Sequence, residues 1–332
     1  MALMVAFAGD EVGGEALMDE LPRQLNGKIL KPNISVRLPR GGSMAEYDDI
    51  YYSSSDGLRL YARDYHCRNE SIAKPGTILC MHGLTRNSAD FAGLASHLSE
   101  NYRVLAVDNR GRGLSQYDAN AANYNPATYV NDMFTLLGVL GIERVILCGT
   151  SMGGIMSLLM AAMHPQRVHG MIINDIGPEI AEEGLQRIKA YVGKAKPVTS
   201  WADAIAQARE INQLAFPDFS DSEWEEFTRG LYRDQNGMPV LAYDPAISKP
   251  LSDEQSGAVP PNLWPLFDAI TAIPMLLIRG ETSDILAPAC ARAMRDKKQD
   301  LRFVEVPSRG HAPTLNEAVS RGAIDGFLFE LQ

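Results

Sequence analysis

Cysteine is scarce in this chain of 332 residues. The four cysteines, Cys67, Cys80, Cys148 and Cys290, are scattered along the sequence. None belongs to a Cys-x-x-Cys pair or to a Cys/His cluster. Two of them lie inside short apolar runs, where a thiol behaves as a small hydrophobic side chain. This pattern argues against a disulfide framework and against a metal site. It is typical of a cytoplasmic protein.

The chain also lacks an excess of basic residues and any long hydrophobic run. It has 31 lysines and arginines against 41 aspartates and glutamates, which gives a formal net charge of −10. This balance argues against nucleic acid and anionic membrane surfaces as partners. No apolar stretch reaches membrane-spanning length. The apolar segment 2–9 is short and has no basic start, so it makes a poor secretory signal.

The first 43 residues differ in composition from the rest. Residues 26–43 contain two prolines and a Gly-Gly pair, which are typical of a linker or arm. Met44 begins a stretch that resembles a domain start and is a possible true start. We predict that residues 1–43 form an accessory extension; the alternative is a docking arm.

From residue 44 onward, short apolar runs alternate with helical patterns. Residues 48–66 predict two strands joined at Asp56-Gly57, and later strands begin at 77, 102, 145 and 168. The alternation predicts an α/β protein with a mostly parallel sheet and helices on both faces. We assign residues 44–177 and 266–332 to this core.

Residues 178–265 have few strand signals and many amphipathic helical patterns. Helices are predicted to begin near Ser200 and near Ser222, each with an acidic residue three positions later. A segment of this length between two strands predicts a helical cap over the carboxyl edge of the sheet. Trp264, at the exit of the cap, is a candidate substrate-binding residue in the pocket wall.

The most informative segment is Gly149-Thr150-Ser151-Met152-Gly153. It follows the apolar run 144–148 directly and precedes the helix-forming run 155–163. A strand that turns at once into a helix through Gly-x-Ser-x-Gly is typical of a nucleophile elbow. The glycines allow the strand and the helix to approach closely. The pattern predicts Ser151 as a nucleophile.

A serine nucleophile needs an adjacent base and an acid that orients the base. His311 follows the last predicted strand, and Asp284 follows the strand that ends at Ile278. The order Ser151, Asp284, His311 predicts a catalytic triad. Glu281 and Asp175 are the alternative acids, the latter in a variant geometry.

The tetrahedral intermediate of acyl transfer needs backbone N–H donors. The predicted donors are Met152, directly after the nucleophile, and Leu84, in the loop that follows the strand 77–81. The preceding pair, His82-Gly83, is by itself only a weak indication of an oxyanion loop.

Together these motifs resemble those of the α/β-hydrolases of the single-serine, helical-cap type. The resemblance covers most of residues 46–332 and rests on His82-Gly83-Leu84, Asp108 to Ser115, Gly149 to Gly153, Asp284, and Gly310-His311. It implies an eight-stranded core, esterase-like transfer of an acyl group to water, and no cofactor. The charges between Asp108 and Ser115 are expected to brace loops rather than to touch substrate. Related dehalogenases and epoxide hydrolases place aspartate at the elbow, so Ser151 argues against their chemistry.

The resulting hypothesis is a serine hydrolase that acts on a small or medium carboxylic ester or lactone. Carbon–carbon bond hydrolysis and perhydrolysis by the same triad are alternatives. A non-catalytic ligand receptor on the same scaffold is a third.

Overall fold

A single large sheet dominates the fold. The computed structural model describes residues 35–37, 47–69, 76–252 and 262–331. Its strands are β1 (Ser35–Arg37), β2 (Asp48–Ser53), β3 (Arg59–Tyr65), β4 (Thr77–Met81), β5 (Arg103–Asp108), β6 (Val145–Thr150), β7 (Val168–Asn174), β8 (Tyr232–Gln235), β9 (Met238–Leu241), β10 (Met275–Gly280) and β11 (Arg302–Val306). All except β8 and β9 join the large sheet, in the order β1-β2-β3-β5-β4-β6-β7-β10-β11.

The sheet is mostly parallel, as predicted. In the sheet order, the neighbours β5, β4, β6, β7, β10 and β11 pair in parallel. The strands β1, β2 and β3 form an antiparallel edge, and the β2–β3 hairpin turns at the predicted Asp-Gly pair. Strand order reverses around β4, so the loops after β4 and β6 open a crevice at the carboxyl edge, where ligands of such sheets bind.

The predicted N-terminal extension contributes one element to this sheet. The backbone of Ser35–Arg37 pairs antiparallel with β2 and adds a ninth strand beyond the eight that the resemblance implied. The candidate start Met44 and the other residues of the extension lie outside the described residues.

Among the described residues, ten α-helices surround the sheet or belong to the predicted cap region. They are α1 (Ala92–Leu98), α2 (Pro126–Val139), α3 (Met152–Met163), α4 (Glu182–Tyr191), α5 (Trp201–Asn212), α6 (Asp221–Leu231), α7 (Lys249–Ser252), α8 (Trp264–Ala269), α9 (Pro288–Lys297) and α10 (Ala318–Glu330). Buried side chains of α1 and α10 form one core cluster, and those of α2, α3, α8 and α9 form the other. Alternate residues of β4 enter the two clusters, as the two-residue period of a strand requires. Across the described ranges, no helix combines the length and apolarity needed to cross a membrane.

The region between β7 and β10 contains the helices α4 to α8 and one hairpin. The first predicted helix start is confirmed, because the Ser200 hydroxyl accepts a hydrogen bond from the Asp203 N–H. The second start lies two residues earlier than predicted, where Ser220 and Glu223 form a complete capping box.

The β8–β9 hairpin was missed in the sequence. Asn236 and Gly237, both with positive φ, make its turn. An Asn-Gly pair is a strong hairpin signal, so this turn could have been found from the sequence.

Candidate active site

The segment between β6 and α3 forms the tight turn that the sequence predicted. Ser151 has φ 53° and ψ −116°, an uncommon conformation for a residue with a side chain. A Cβ at Gly149 would clash with the Gly153 carbonyl, and one at Gly153 would clash with the Met81 carbonyl. Glycine is therefore needed at both positions. Gly149 lets α3 pack closely against β6, and Gly153 lets α3 pass close to β4.

His311 lies beside Ser151, as predicted. The loop after β11 carries the imidazole into the cleft, where Nε2 lies 2.8 Å from the Ser151 hydroxyl oxygen. Asn174 supports this loop, since its amide nitrogen donates to the Pro313 carbonyl at 2.8 Å and to the Thr150 hydroxyl at 3.1 Å. The elbow and the histidine loop are thereby tied together.

The carboxylate that binds the histidine belongs to Asp175. Its Oδ2 lies 2.9 Å from Nδ1 of His311, and its Oδ1 accepts the Gly280 N–H at 2.9 Å. Asp175 directly follows β7, is fully buried and has a positive φ of 58°. With Nδ1–H donated to this carboxylate, Nε2 is free to accept the Ser151 proton.

The prediction that Asp284 orients His311 is wrong. Both oxygens of Asp284 bind the guanidinium of Arg187 on α4, at 2.5 and 2.9 Å. Burial acts to raise the pKa of Asp284, but the hydrogen bonds and charge of Arg187, with a smaller effect of His311, hold this pKa below its ordinary value. Asp284 lies beyond the end of β10, where the chain has already turned toward α4.

The other alternative acid, Glu281, is not placed on the histidine either. Its Oε2 accepts the Ser308 N–H at 2.8 Å. The variant geometry that the sequence left open for Asp175 is therefore the one in the structure.

The predicted oxyanion loop lies against the elbow. A Cβ at Gly83 would lie 3.7 Å from the Ser151 Cβ. Leu84 follows Gly83, and Met152 begins α3. Neither the Leu84 N–H nor the Met152 N–H donates a hydrogen bond to another described residue. Both amides are thus available to a ligand at Ser151.

Arg112 connects these two residues, and sequence reasoning did not single it out. It is fully buried, its Nε donates to the Leu84 carbonyl at 2.9 Å, and its Nη2 lies 3.9 Å from the Met152 sulfur. Its remaining nitrogen donates to the Tyr129 hydroxyl and to the Arg110 carbonyl, both at 2.8 Å. In the sequence, the indication of a role for Arg112 was its position in the Asp108–Ser115 segment.

The remaining charges of that segment brace loops, as predicted. Arg110 is almost fully buried and pairs with Asp132, Asp118 and Asp56. Asp108 accepts the N–H groups of Ser88 and Leu114.

Two cavities meet at Ser151. The larger has a volume of about 390 Å³ and includes His311 in its wall. The smaller, of about 60 Å³, is lined mainly by aliphatic side chains and by Met152. Leu84, Ser151 and Ile188 border both cavities.

Residues 76–318 match the family model described as alpha/beta hydrolase fold. The chain belongs to the α/β-hydrolase family. The resemblance expected from the sequence is thereby confirmed over most of the described residues.

Two of the similar proteins are hydrolases by name. The 3-hydroxybutyrate-oligomer hydrolase of Cupriavidus necator is 34% identical over 249 residues, 73% of this chain and 84% of that protein. The 2-(acetamidomethylene)succinate hydrolase of Mesorhizobium japonicum is 29% identical over 234 residues, 70% of this chain and 81% of that protein. An α/β-hydrolase structure from Novosphingobium aromaticivorans superimposes with a TM-score of 0.81 at 39% identity, covering 87% of this chain and all of that one.

The prediction that Trp264 lines the pocket of this α/β-hydrolase is wrong. Trp264 is not among the described residues that border either cavity. Its indole N–H donates to Glu179, its ring packs edge-on against Phe267, and the Lys297 ammonium lies 5.4 Å from the ring centroid. These contacts hold Trp264 against the core cluster that α8 joins.

The described residues offer no metal centre for this site. No group of three or more His, Cys, Asp or Glu side chains within the described ranges is arranged to hold a metal ion.

Proposed function

We propose that this α/β-hydrolase cleaves a small to medium carboxylic ester or lactone through an acyl-enzyme on Ser151. The observation that carries the proposal is the continuous contact from the Ser151 hydroxyl through His311 to Asp175, at 2.8 and 2.9 Å. A serine at a strained elbow, a base within reach and a buried acid behind it are the parts that nucleophilic acyl transfer requires.

The proposed reaction begins when the Ser151 oxygen attacks the ester carbonyl and His311 Nε2 takes the hydroxyl proton. Asp175 holds the imidazole in the correct tautomer and stabilises the imidazolium. The N–H groups of Leu84 and Met152 are the proposed donors to the developing oxyanion. Collapse of the intermediate breaks the bond to the leaving oxygen, and His311 returns the proton to it.

Deacylation uses the same groups. A water molecule loses a proton to His311 as its oxygen attacks the acyl carbonyl. His311 then returns this proton to the Ser151 oxygen as the acid is released. The sum of the two halves is the hydrolysis of one ester bond.

The similar proteins support an ester substrate. Oligomers of 3-hydroxybutyrate, which the C. necator relative hydrolyses by its name, are linked through ester bonds. We assign the cap to residues 178–265, because helices α4 and α5 contribute side chains to the cavity walls around Ser151.

The test is turnover of short-chain nitrophenyl esters by the wild type and by Ser151→Ala. The variant should lose activity by about 10⁴-fold or more, because no other group supplies the nucleophile. A fluorophosphonate probe should label Ser151 in the wild type, as measured by mass spectrometry. Ser55→Ala, an exposed serine in the β2–β3 turn, is the matched control and should keep full activity.

Two outcomes would contradict the proposal. Full activity of Ser151→Ala would remove the nucleophile assignment. Tight binding of esters without turnover by the wild type would indicate a receptor instead.

A further inference from the structure

Two cavities of different size and character open from the same serine. The smaller one is bordered by aliphatic side chains, including Ile155, Ile176, Leu185 and Ile285. Its two tyrosine hydroxyls, of Tyr124 and Tyr129, are engaged with Asp244 and Arg112. The small pocket therefore presents an apolar wall.

The larger cavity is polar by comparison. Arg86, Asp90, Asn212 and Arg309 are among its lining residues. Arg86 binds Asp90 through Nε and Nη2, but its buried Nη1 has no hydrogen-bond partner among the described residues. A donor of this kind favours an oxygen-rich group in this cavity.

The position of His311 distinguishes the roles of the two cavities. His311 borders the larger cavity and is absent from the described lining of the smaller one. The general acid must reach the oxygen of the leaving group, so the leaving group has to lie on the side of the imidazole. The acyl chain must then extend to the other side of Ser151.

We propose that the small apolar pocket binds the acyl chain and that the larger cavity, which has the more polar wall of the two, binds the alcohol part of the ester. This assignment rests on the proposed function and narrows its substrate class. The substrate is an ester of a short aliphatic acid with a larger, polar alcohol.

The volume of the small pocket sets the limit on the acyl chain. One water needs about 10–15 Å³ of such space, so the pocket of about 60 Å³ accommodates roughly four to six non-hydrogen atoms. The acyl group should therefore range from acetyl to about hexanoyl. The larger cavity, of about 390 Å³, imposes no comparable limit on the alcohol.

Two ester series measured on the full chain test the assignment. In the first, the nitrophenyl alcohol is constant and the acid varies from acetate through butyrate and hexanoate to dodecanoate. In the second, the acid is always acetate, and the alcohol is varied from methanol through glycerol to the hydroxyl group of a hydroxy-acid ester. We expect kcat/KM to peak at butyrate or hexanoate and to fall at least about tenfold by dodecanoate. In the alcohol series, kcat/KM should stay constant or rise as the alcohol becomes larger.

Two matched variants on cap helices separate the cavities. Leu185→Ala on α4 enlarges the small pocket, and Ile211→Ala on α5 enlarges the large cavity. Leu185→Ala should move the acyl optimum to a chain about three carbons longer, since three side-chain carbons are removed. Ile211→Ala should leave that optimum where it is in the wild type.

Two results would overturn the assignment of the two cavities. One is an acyl series that keeps rising to dodecanoate while larger alcohols are rejected. Another is a shift of the acyl optimum in Ile211→Ala but not in Leu185→Ala. Both leave ester hydrolysis itself intact, whereas failure of the wild type to hydrolyse any member of either series would overturn the proposed function as well.

Discussion

Two aspartates lie near the same histidine, and only one of them binds it. Asp175 is held in place by the Gly280 N–H on one oxygen and points the other at His311. Asp284 is neutralised by Arg187. What distinguishes the two is direct hydrogen bonding to Nδ1, because an acid that does not bind Nδ1 cannot fix the tautomer.

Replacement of the two aspartates should therefore have unequal effects. Asp175→Asn should lower kcat for ester hydrolysis by about 10⁴-fold, because an amide at this position favours the wrong tautomer of His311. Asp284→Asn should change kcat only slightly and lower stability by no more than about 1 kcal/mol, since it breaks a partly exposed ion pair. Steady-state kinetics and urea unfolding of both variants measure these effects.

The two isosteric variants control for each other. A larger loss of kcat in Asp284→Asn than in Asp175→Asn would show that Asp284 serves as the acid during turnover.

At the scale of elements, the elbow depends on close backbone approaches between β6, α3 and β4. The absence of a side chain at Gly153 lets α3 pass over the end of β4. Met152 begins this helix directly after Ser151, and Gly83, in the loop that carries Leu84, lies against Ser151. The helix position and the proposed oxyanion donors are thus set by the same contact.

Gly153→Ala should disturb both stability and catalysis. The new Cβ would meet the Met81 backbone, which cannot yield as a flexible side chain would. We expect a loss of about 1–3 kcal/mol in the free energy of unfolding and a marked fall in kcat. Urea unfolding and ester turnover provide the measurements.

Gly138→Ala is the control for this substitution. Gly138 is an exposed residue near the end of α2, and nothing lies within 4 Å of the position its Cβ would take. Alanine should raise stability there by up to about 1 kcal/mol, because glycine disfavours a helix. Equal effects of the two substitutions would mean that the close approach at the elbow is not needed.

Local signals predicted the elements well where a few neighbouring residues determine the structure. The β2–β3 hairpin and the N-cap at Ser200 follow from turn and capping chemistry within a few positions. The predicted start of α6 was two residues too late, because Ser220 and Ser222 lie close together and both precede acidic residues. Only the contact between Ser220 and Glu223 distinguishes them.

At the scale of the whole molecule, the sheet gathers loops from distant parts of the chain at one edge. His82 lies fully buried beneath this edge. Its Nδ1–H donates to the Gly83 carbonyl at 2.6 Å, and its Nε2 accepts the Asn109 N–H at 3.1 Å. Burial lowers the pKa of His82 to about 3, with the charges of Arg112 and Arg86 acting in the same direction.

This histidine should make the fold sensitive to acid. Between about pH 3 and the ordinary histidine pKa of about 6.5, the unfolded chain binds a proton that native His82 does not. The free energy of unfolding should therefore fall as the pH drops below about 6.5, with a contribution from this group of up to about 1.4 kcal/mol per pH unit.

Urea unfolding of the wild type and of His82→Gln between neutral pH and pH 4 measures this contribution. The variant should be less stable near neutrality and should lose less stability on acidification. Identical pH slopes for the two proteins would contradict the assignment, whatever the absolute stability of the variant.

The amino-acid sequence by itself determined the nucleophile candidate, the histidine, the parallel sheet and the family resemblance. Each of these depends on short-range patterns: a strand, a glycine-flanked serine and a helix within a few residues, or apolar runs of regular length. Such patterns follow from local sterics and periodic burial, and they can be recognised before the chain is folded.

The partner of His311 and the walls of the cleft were decided only by the tertiary structure. Asp175 and His311 are 136 positions apart, and Asp284 and Arg187 are 97 apart. Several carboxylates follow strands at the same edge, so their order along the chain does not select one. Which carboxylate meets the imidazole, and whether Trp264 faces the cleft or the core, depends on how helices and strands from distant segments pack together.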